Sequence, residues 1–253
     1  MLRASSGTIS IEQAAKALHL PPTETAKTLA RWAKQGWLSR VQRGLYVPVP
    51  LTNRTSEVSL EDPWLIAERL FAPGYIGGWS AAEHWGMTEQ IYRSILVMTT
   101  RRPRNRKPVI KGTAFVLRSI QLGSLFGTKS VWRGQIKVSV SDPSRTVLDL
   151  MDDPLLGGGI RPSADMFQHY LGSEHKNMKL LLEYAERFQS GAAIKRLGFL
   201  LERYAPQEAE IIAACRAQMT QGNVKLDTSL PADRLITAWR LWVPSDWKEA
   251  RHD

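Results

Sequence analysis

The sequence predicts an α+β protein in two parts: a small N-terminal unit of two helices and a β-hairpin, followed by a larger mixed domain with an antiparallel sheet and a helical C-terminal part. Three observations carry this expectation. Apolar residues recur at helical spacing between residues 11 and 33 and then flank a short turn. Strand-like stretches cluster between residues 94 and 140, and helical periodicity returns after residue 173. With 253 residues, 43% of them hydrophobic and 23% charged, the chain can bury a core of ordinary size. No run of about eighteen apolar residues occurs, and the start MLRASSGTIS lacks the apolar stretch of a secretory signal, so a cytoplasmic protein without membrane association is expected. Cys215 is the only cysteine, which excludes an intrachain disulfide and a multi-cysteine metal site.

In the N-terminal part, Ser10 followed by Gln13 fits a capping box, and Ile11, Ala14, Ala15 and Leu18 then fall on one face of a short helix. Pro21 stops it, and Pro22 suits the first turn of a second helix, to about Gln35, with Ala26, Leu29, Ala30 and Ala33 inward. Gly36 offers the left-handed residue that ends a helix. Residues 37–41 and 45–47 flank Gln42-Arg43-Gly44, a hairpin signal, and Pro48 and Pro50 end the second strand.

The formal charge is +10, with a pI near 9.9, which favours a polyanionic partner. Residues 1–55 hold eight basic side chains against two acidic ones. The outer face of the second helix shows Thr23, Lys27, Thr28, Arg31 and Lys34, and the hairpin adds Arg40 and Arg43. A helix built only for solubility usually interleaves opposite charges at i, i+4, and this one does not after Glu24. Helix, tight turn, basic helix and basic-tipped hairpin together describe a winged helix-turn-helix, in which the second helix enters the major groove and the hairpin reaches the backbone. The competing reading is a solvated face on a structural unit. Trp32 and Trp37 are expected to pack in the core or against the hairpin.

The polar stretch PLTNRTSEVS, residues 50–59, reads as a linker, which sets the domains at 1–52 and 60–253. Asp62 and Pro63 open a helix, with Trp64, Ala67, Leu70 and Phe71 inward. Ser80 and Glu83 suggest a second capping box. Strands are expected at 94–99, 113–117 and 135–140. Between the first two lies TTRRPRNRKPVIKG, an exposed loop carrying Arg101, Arg102, Arg104, Arg106, Lys107 and Lys111 and no acid. It reads as a second basic patch, for DNA, RNA or an acidic protein surface, or as a merely solvated tip. Asp142 opens a helix to Met151, in which Arg145 and Asp149 pair at i, i+4. LLGGGI, residues 155–160, lacks the Lys-Ser/Thr of a phosphate loop and reads as a hinge or helix stop. Three helices follow between Ser173 and Thr220, and Trp239, Trp242 and Trp247 cluster in the last segment, as a core or as a sticky surface.

No catalytic constellation stands out. The five histidines have no metal-ligand spacing, no G-x-S-x-G elbow occurs, and no cofactor or metal site is expected. Asp149, Asp152, Asp153, Glu61 and Asp62 are the carboxylates on which an alternative reading, a metal-dependent nuclease targeted by the winged helix, would rest. A protein-interaction module that holds a partner through the helical tail is a third reading.

The stretch ISIEQAAKALHLPPTETAKTLARWAKQGWLSRVQRGLYV resembles the N-terminal winged helix of AbiEi-family antitoxins, the transcriptional regulators of type IV toxin-antitoxin operons. GGWSAAEHWGMTEQ, VSVSDPSRTVLDLMDDPLLGGGI and AAIKRLGFLLE look like segments of that family's larger domain, so the similarity spans about residues 8–205. The resemblance implies a non-enzymatic repressor that binds inverted repeats in its own promoter DNA and counteracts a nucleotidyltransferase-like toxin. Pro21-Pro22, where a Ser or Thr cap is commoner, and the tail after Ala205 depart from the pattern.

Overall fold

The computed structural model describes residues 9–48, 62–134 and 136–247. The linker expected at 50–59, together with Glu61, lies outside them. The described chain falls into two compact units: one of residues up to Gly74 with Arg93–Ser119 and Ser130–Ser139, the other of Tyr75–Tyr92, Ile120–Lys129 and the chain from Val140 onward.

The first unit begins with β1 (Ile9–Ser10), α1 (Ile11–Leu18), α2 (Pro22–Lys34), β2 (Leu38–Gln42) and β3 (Leu45–Pro48), whose strands form an antiparallel sheet in the order β1-β3-β2. It continues with α3 (Pro63–Phe71), capped by the Asp62 carboxylate, which accepts from the Trp64 N–H at 2.9 Å. Helix α3 packs on β5 (Ser94–Thr99), and the Thr99 hydroxyl donates to the Phe71 carbonyl at 2.6 Å.

The α+β class is as expected, but the sheet of this unit is mixed. Strand β7 (Thr113–Ser119) runs antiparallel to β6 (Val109–Ile110) and parallel to β5, with Ser94 opposite Ala114 and Thr99 opposite Ser119. The physical reason is the hairpin. Lys111 and Gly112, both at positive φ (50° and 77°), form its tight turn, so β6 is the antiparallel partner of β7 and the long basic loop carries the chain back to run alongside β5. A two-residue strand is too short to leave a period-two signal. Strands β8 (Thr128–Arg133) and β9 (Ile136–Ser141) lie side by side.

In the second unit, Ile76 at the end of β4 (Gly74–Ile76) pairs in parallel with Val140 of β9. Helix α4 (Gly78–His84) starts earlier than the expected capping box: its N-cap is Gly77, and Ser80 lies inside the first turn, buried. Helix α5 (Pro143–Asp152) is the centre of this unit, buried from Pro143 to Met151. Asp142 caps it by accepting from the Arg145 N–H at 2.9 Å. Around it pack α6 (Ile160–Gly172), α7 (Met178–Phe188) and α8 (Gly191–Tyr204), with α9 (Ala209–Ala217) against α7 and α8. The three helices after residue 173 match expectation. Helix α6 departs from the sequence expectation, because Pro162 and the glycines before it mask its start. Gly158 and Gly159, at φ 88° and 115°, turn the chain into α6, whose first N–H, at Ile160, donates to the buried Asp227 carboxylate at 2.7 Å. The glycine run is therefore a helix start tied to a distant carboxylate.

The tail folds into β10 (Val224–Lys225), β11 (Arg234–Ile236) and β12 (Leu241–Val243), in the order β10-β12-β11. Its tryptophans close a core. Trp239 and Trp247 are buried and Trp242 is half-buried, and the Trp239 ring lies so close to Gly198 of α8 that a Cβ there would overlap it.

Candidate nucleic-acid interface

Both bonds of the first capping box form: the Ser10 hydroxyl accepts from the Gln13 N–H, and the Gln13 side chain accepts from the Ser10 N–H, each at 3.2 Å. Helix α1 closes on His19, which takes the left-handed conformation (φ 53°) and donates its N–H to the Ala15 carbonyl. Only His19, Leu20 and Pro21 separate the two helices, and Pro22 starts α2 where a missing N–H leaves nothing unsatisfied. Gly36 (φ 79°) follows α2, and Gly44 (φ 86°) makes the hairpin turn beside Ile11, whose N–H donates to the Gly44 carbonyl at 3.2 Å. Ala14 of α1 and Leu29 of α2 are buried with Ile9, Leu38 and Tyr46 of the small sheet, while Ile11, Trp32 and Ala33 cover the edge of the cluster. Burying each of the larger side chains is worth roughly 1.5–3 kcal/mol.

The packed face of α2 differs from its apolar face. Thr25 is fully buried, its hydroxyl satisfied by donation to the Pro21 carbonyl at 2.9 Å, and Ala30 is exposed. A threonine that bonds the carbonyl four residues back behaves as an apolar residue toward its neighbours, which composition alone does not show.

Thr23, Lys27, Arg31 and Lys34 are all exposed. At about 100° per residue they fall within roughly 80° of arc. Thr28 sits outside that arc and is half-buried. Arg40 on β2 and Arg43 at the turn are exposed, and the register shifts between Arg40 and Gln42, a bulge that bends the strand toward its tip. Glu24 is the acidic side chain of α2, in its first turn. Trp32 packs as expected, whereas Trp37 is 53% exposed.

In the basic loop Arg101, Arg102, Arg104, Arg106 and Lys107 are all exposed. The loop is held along β7: the Arg106 carbonyl accepts from the Leu117 N–H at 2.8 Å, the Pro108 carbonyl accepts from the Phe115 N–H at 2.9 Å, and the Arg101 carbonyl accepts from the Ser119 hydroxyl at 3.0 Å. The Arg101 guanidinium donates to the Ala72 carbonyl, the C-cap of α3, so this cation has a structural use, with Arg102, Arg104, Arg106 and Lys107 arrayed beyond it.

The carboxylates of the nuclease reading hold other posts. Asp149 is buried and accepts from Arg145 Nε at 2.9 Å and from the Tyr75 hydroxyl at 3.0 Å. Arg145 completes its bonds with the Tyr75 hydroxyl and the Ser124 and Phe126 carbonyls, at 2.7, 2.9 and 3.1 Å. Burial pushes the Asp149 carboxyl up, to about 6, against the pull of Arg145 and the Tyr75 hydrogen bond. Asp152 accepts from the Ser190 hydroxyl at 2.6 Å, Asp153 caps a 3-10 turn at the Leu155 N–H, and Asp62 caps α3 and faces Arg133 at 3.6 Å. Among the described residues, no three His, Cys, Asp or Glu side chains gather as a metal-binding group.

No functionally curated protein matches the chain. Among solved structures, the RV2827C protein from Mycobacterium tuberculosis is similar, with a TM-score of 0.60 and 17% identity over 96% of this chain and 88% of that one. At that identity the likeness shows a shared fold. A family model described as transcriptional regulator, AbiEi antitoxin, matches residues 1–49, the segment that holds α1, α2 and the hairpin. The basic helix and its hairpin thus lie in the segment that matches the model of the AbiEi antitoxin family of transcriptional regulators.

Proposed function

We propose that this chain is a sequence-specific DNA-binding repressor and antitoxin, which regulates its own promoter and counteracts a nucleotidyltransferase-like toxin. The observation that carries the reading is the exposed cationic arc of α2, together with the exposed Arg40 and Arg43 on the hairpin, within the segment that matches the regulator family. In this reading residues 1–52 form a winged helix-turn-helix and residues 60–253 the antitoxin-like domain. Arg31 forks onto a base edge, Thr23 bonds a base or phosphate, and Lys27, Lys34, Arg40 and Arg43 displace counterions from the backbone, while Thr28, half-buried outside the arc, is left out of the contact set. Arg102, Arg104, Arg106 and Lys107 supply a second polyanion contact. One helix reads a short half-site, which favours paired binding to inverted repeats.

The protein acts without cofactor or catalysis in the cytoplasm. Among the described residues no helix is long and apolar enough to cross a membrane. The nuclease alternative has no observation in its favour, because each described carboxylate it needs is engaged as a cap, in an ion pair or in a hydrogen bond.

The test is a gel shift with the DNA upstream of the gene, titrated from low to physiological salt against a scrambled duplex of equal length. Preference for the upstream DNA that persists at physiological salt is expected. Equal binding to both duplexes that vanishes with salt would reduce the face to a nonspecific basic surface.

A further inference from the structure

We infer that the exposed methyl groups of Thr23 and Ala30 read thymine methyls in the major groove, so that the chain recognises thymines about three base pairs apart within each half-site. The inference rests on the reading of α2 as the DNA-facing helix and deepens it by naming a base feature.

Its starting point is the turn of α2 about its axis. The apolar pattern would bury Ala30 with Ala26, Leu29 and Ala33, yet packing through Thr25 and Leu29 leaves Ala30 exposed. At about 100° per residue, Ala30, Thr23, Lys34 and Lys27 then fall within roughly 60° of arc, so the methyl of Ala30 borders the cations. Alanine offers neither charge nor hydrogen bond, so it adds nothing to attraction for phosphates. It does let a helix approach closely where a longer side chain would hold it away. Among the features that base pairs present in the major groove, the one that is not a hydrogen-bonding group is the C5 methyl of thymine. Thr23 carries a methyl on the same border of the helix. Seven residues separate the two, about 10 Å along the axis, or roughly three base-pair steps. Lys27 and Lys34, beside them, anchor the helix to the flanking phosphates.

An exposed alanine is also a good helix former, and if that were its whole role, binding would be indifferent to thymine methyls. The deciding experiment compares the upstream duplex, its protected half-sites mapped by footprinting, with the same duplex in which each half-site thymine is replaced by deoxyuridine, which pairs identically and lacks the methyl. The wild-type chain should bind the deoxyuridine duplex about fourfold more weakly for each contacted methyl, the equilibrium worth of one buried carbon group. Thr23→Ser, which keeps the hydroxyl, and Ala30→Gly should each bind the native duplex more weakly and lose part of the deoxyuridine penalty. Equal wild-type affinity for the two duplexes overturns the inference and leaves the repressor reading intact. Failure of the wild-type chain to prefer upstream over scrambled DNA overturns both.

Discussion

On α2 and its hairpin, Arg31, Arg40 and Arg43 are exposed, while in the second unit Arg145 and Arg196 are buried, and the same side chain does opposite work in the two places. Arg145 meets the Asp149 carboxylate, the Tyr75 hydroxyl and two carbonyls, and stacks on Phe126 and Phe188 at 4.3 and 4.7 Å. Arg196 donates to the carbonyls of Met151, Asp152 and Leu226 at 2.8 Å each and of Lys225 at 2.7 Å, which ties the end of α5 to the tail. A buried guanidinium survives because its donors are matched inside, and it is then unavailable to any ligand. Among the described residues the buried cations Arg145, Lys195 and Arg196 are balanced by the buried carboxylates Asp142, Asp149 and Asp227, so the positive excess stays with the exposed cations, and what the difference teaches is that a cation's place, more than its count, assigns its role.

The comparison breaks most visibly if a buried arginine proves dispensable. Arg145→Met leaves Asp149 buried without its partner and should cost about 3–5 kcal/mol in chemical denaturation. It also carries a pH signature. Burial raises the folded Asp149 carboxyl to about 6, above its unfolded value, so between those values the folded state binds more protons than the unfolded one. Stability from this group therefore falls as pH rises through that window. Without the guanidinium the carboxyl rises further, and the deficit of Arg145→Met should grow from pH 5 to pH 8. A deficit below about 0.5 kcal/mol at pH 8 would show that the network does not hold the unit together.

The exposed arginines should behave in the reverse way. Arg31→Ala should leave the unfolding free energy within about 0.5 kcal/mol of wild type while costing on the order of 1–3 kcal/mol at the operator, with relaxed preference at one base position. Unchanged operator affinity would remove Arg31 from the interface.

Asp227→Asn tests a smaller structural debt. Burial pushes this carboxyl up, but hydrogen bonds from the Ser229 hydroxyl and N–H and from the Ile160 N–H, together with the Arg196 charge, hold it below the usual carboxylate value. Its contribution is then present above the unfolded pKa and lost as pH falls through the folded one. The substitution should cost about 1 kcal/mol at pH 7, and the deficit should shrink below pH 4. A deficit that does not change with pH would disconnect the carboxylate's charge from the start of α6.

What the sequence disclosed follows the range of the forces involved. The Ser10–Gln13 box, Pro22 at the start of α2, and Gly36 and Gly44 at its turns are local signals, and each sits where expected. The strand order depends on residues far apart, and a two-residue β6 that redirects β7 has no local signature. The cap on α6 is equally remote, because Asp227 lies 67 residues from Ile160. At the candidate interface the cations are legible as a face, but the apolar pattern points Ala30 inward, whereas the packing runs through Thr25, whose hydroxyl is satisfied against its own helix. Trp37, whose ring the sequence reading packs against the core or hairpin, is exposed.

The finest test separates positioning from reading on the DNA side itself. Arg43 sits at the hairpin turn, away from the arc of α2, and should touch backbone without choosing bases. Arg43→Ala should weaken binding to upstream and scrambled duplexes by the same factor and lower the slope of log affinity against log salt by about 1, the release of one counterion fewer. Titrating both duplexes across salt measures the factor and the slope together. A change in the preference for upstream DNA, with no change in slope, would move Arg43 from the backbone to a base edge and turn the hairpin from a clamp into a second reading head.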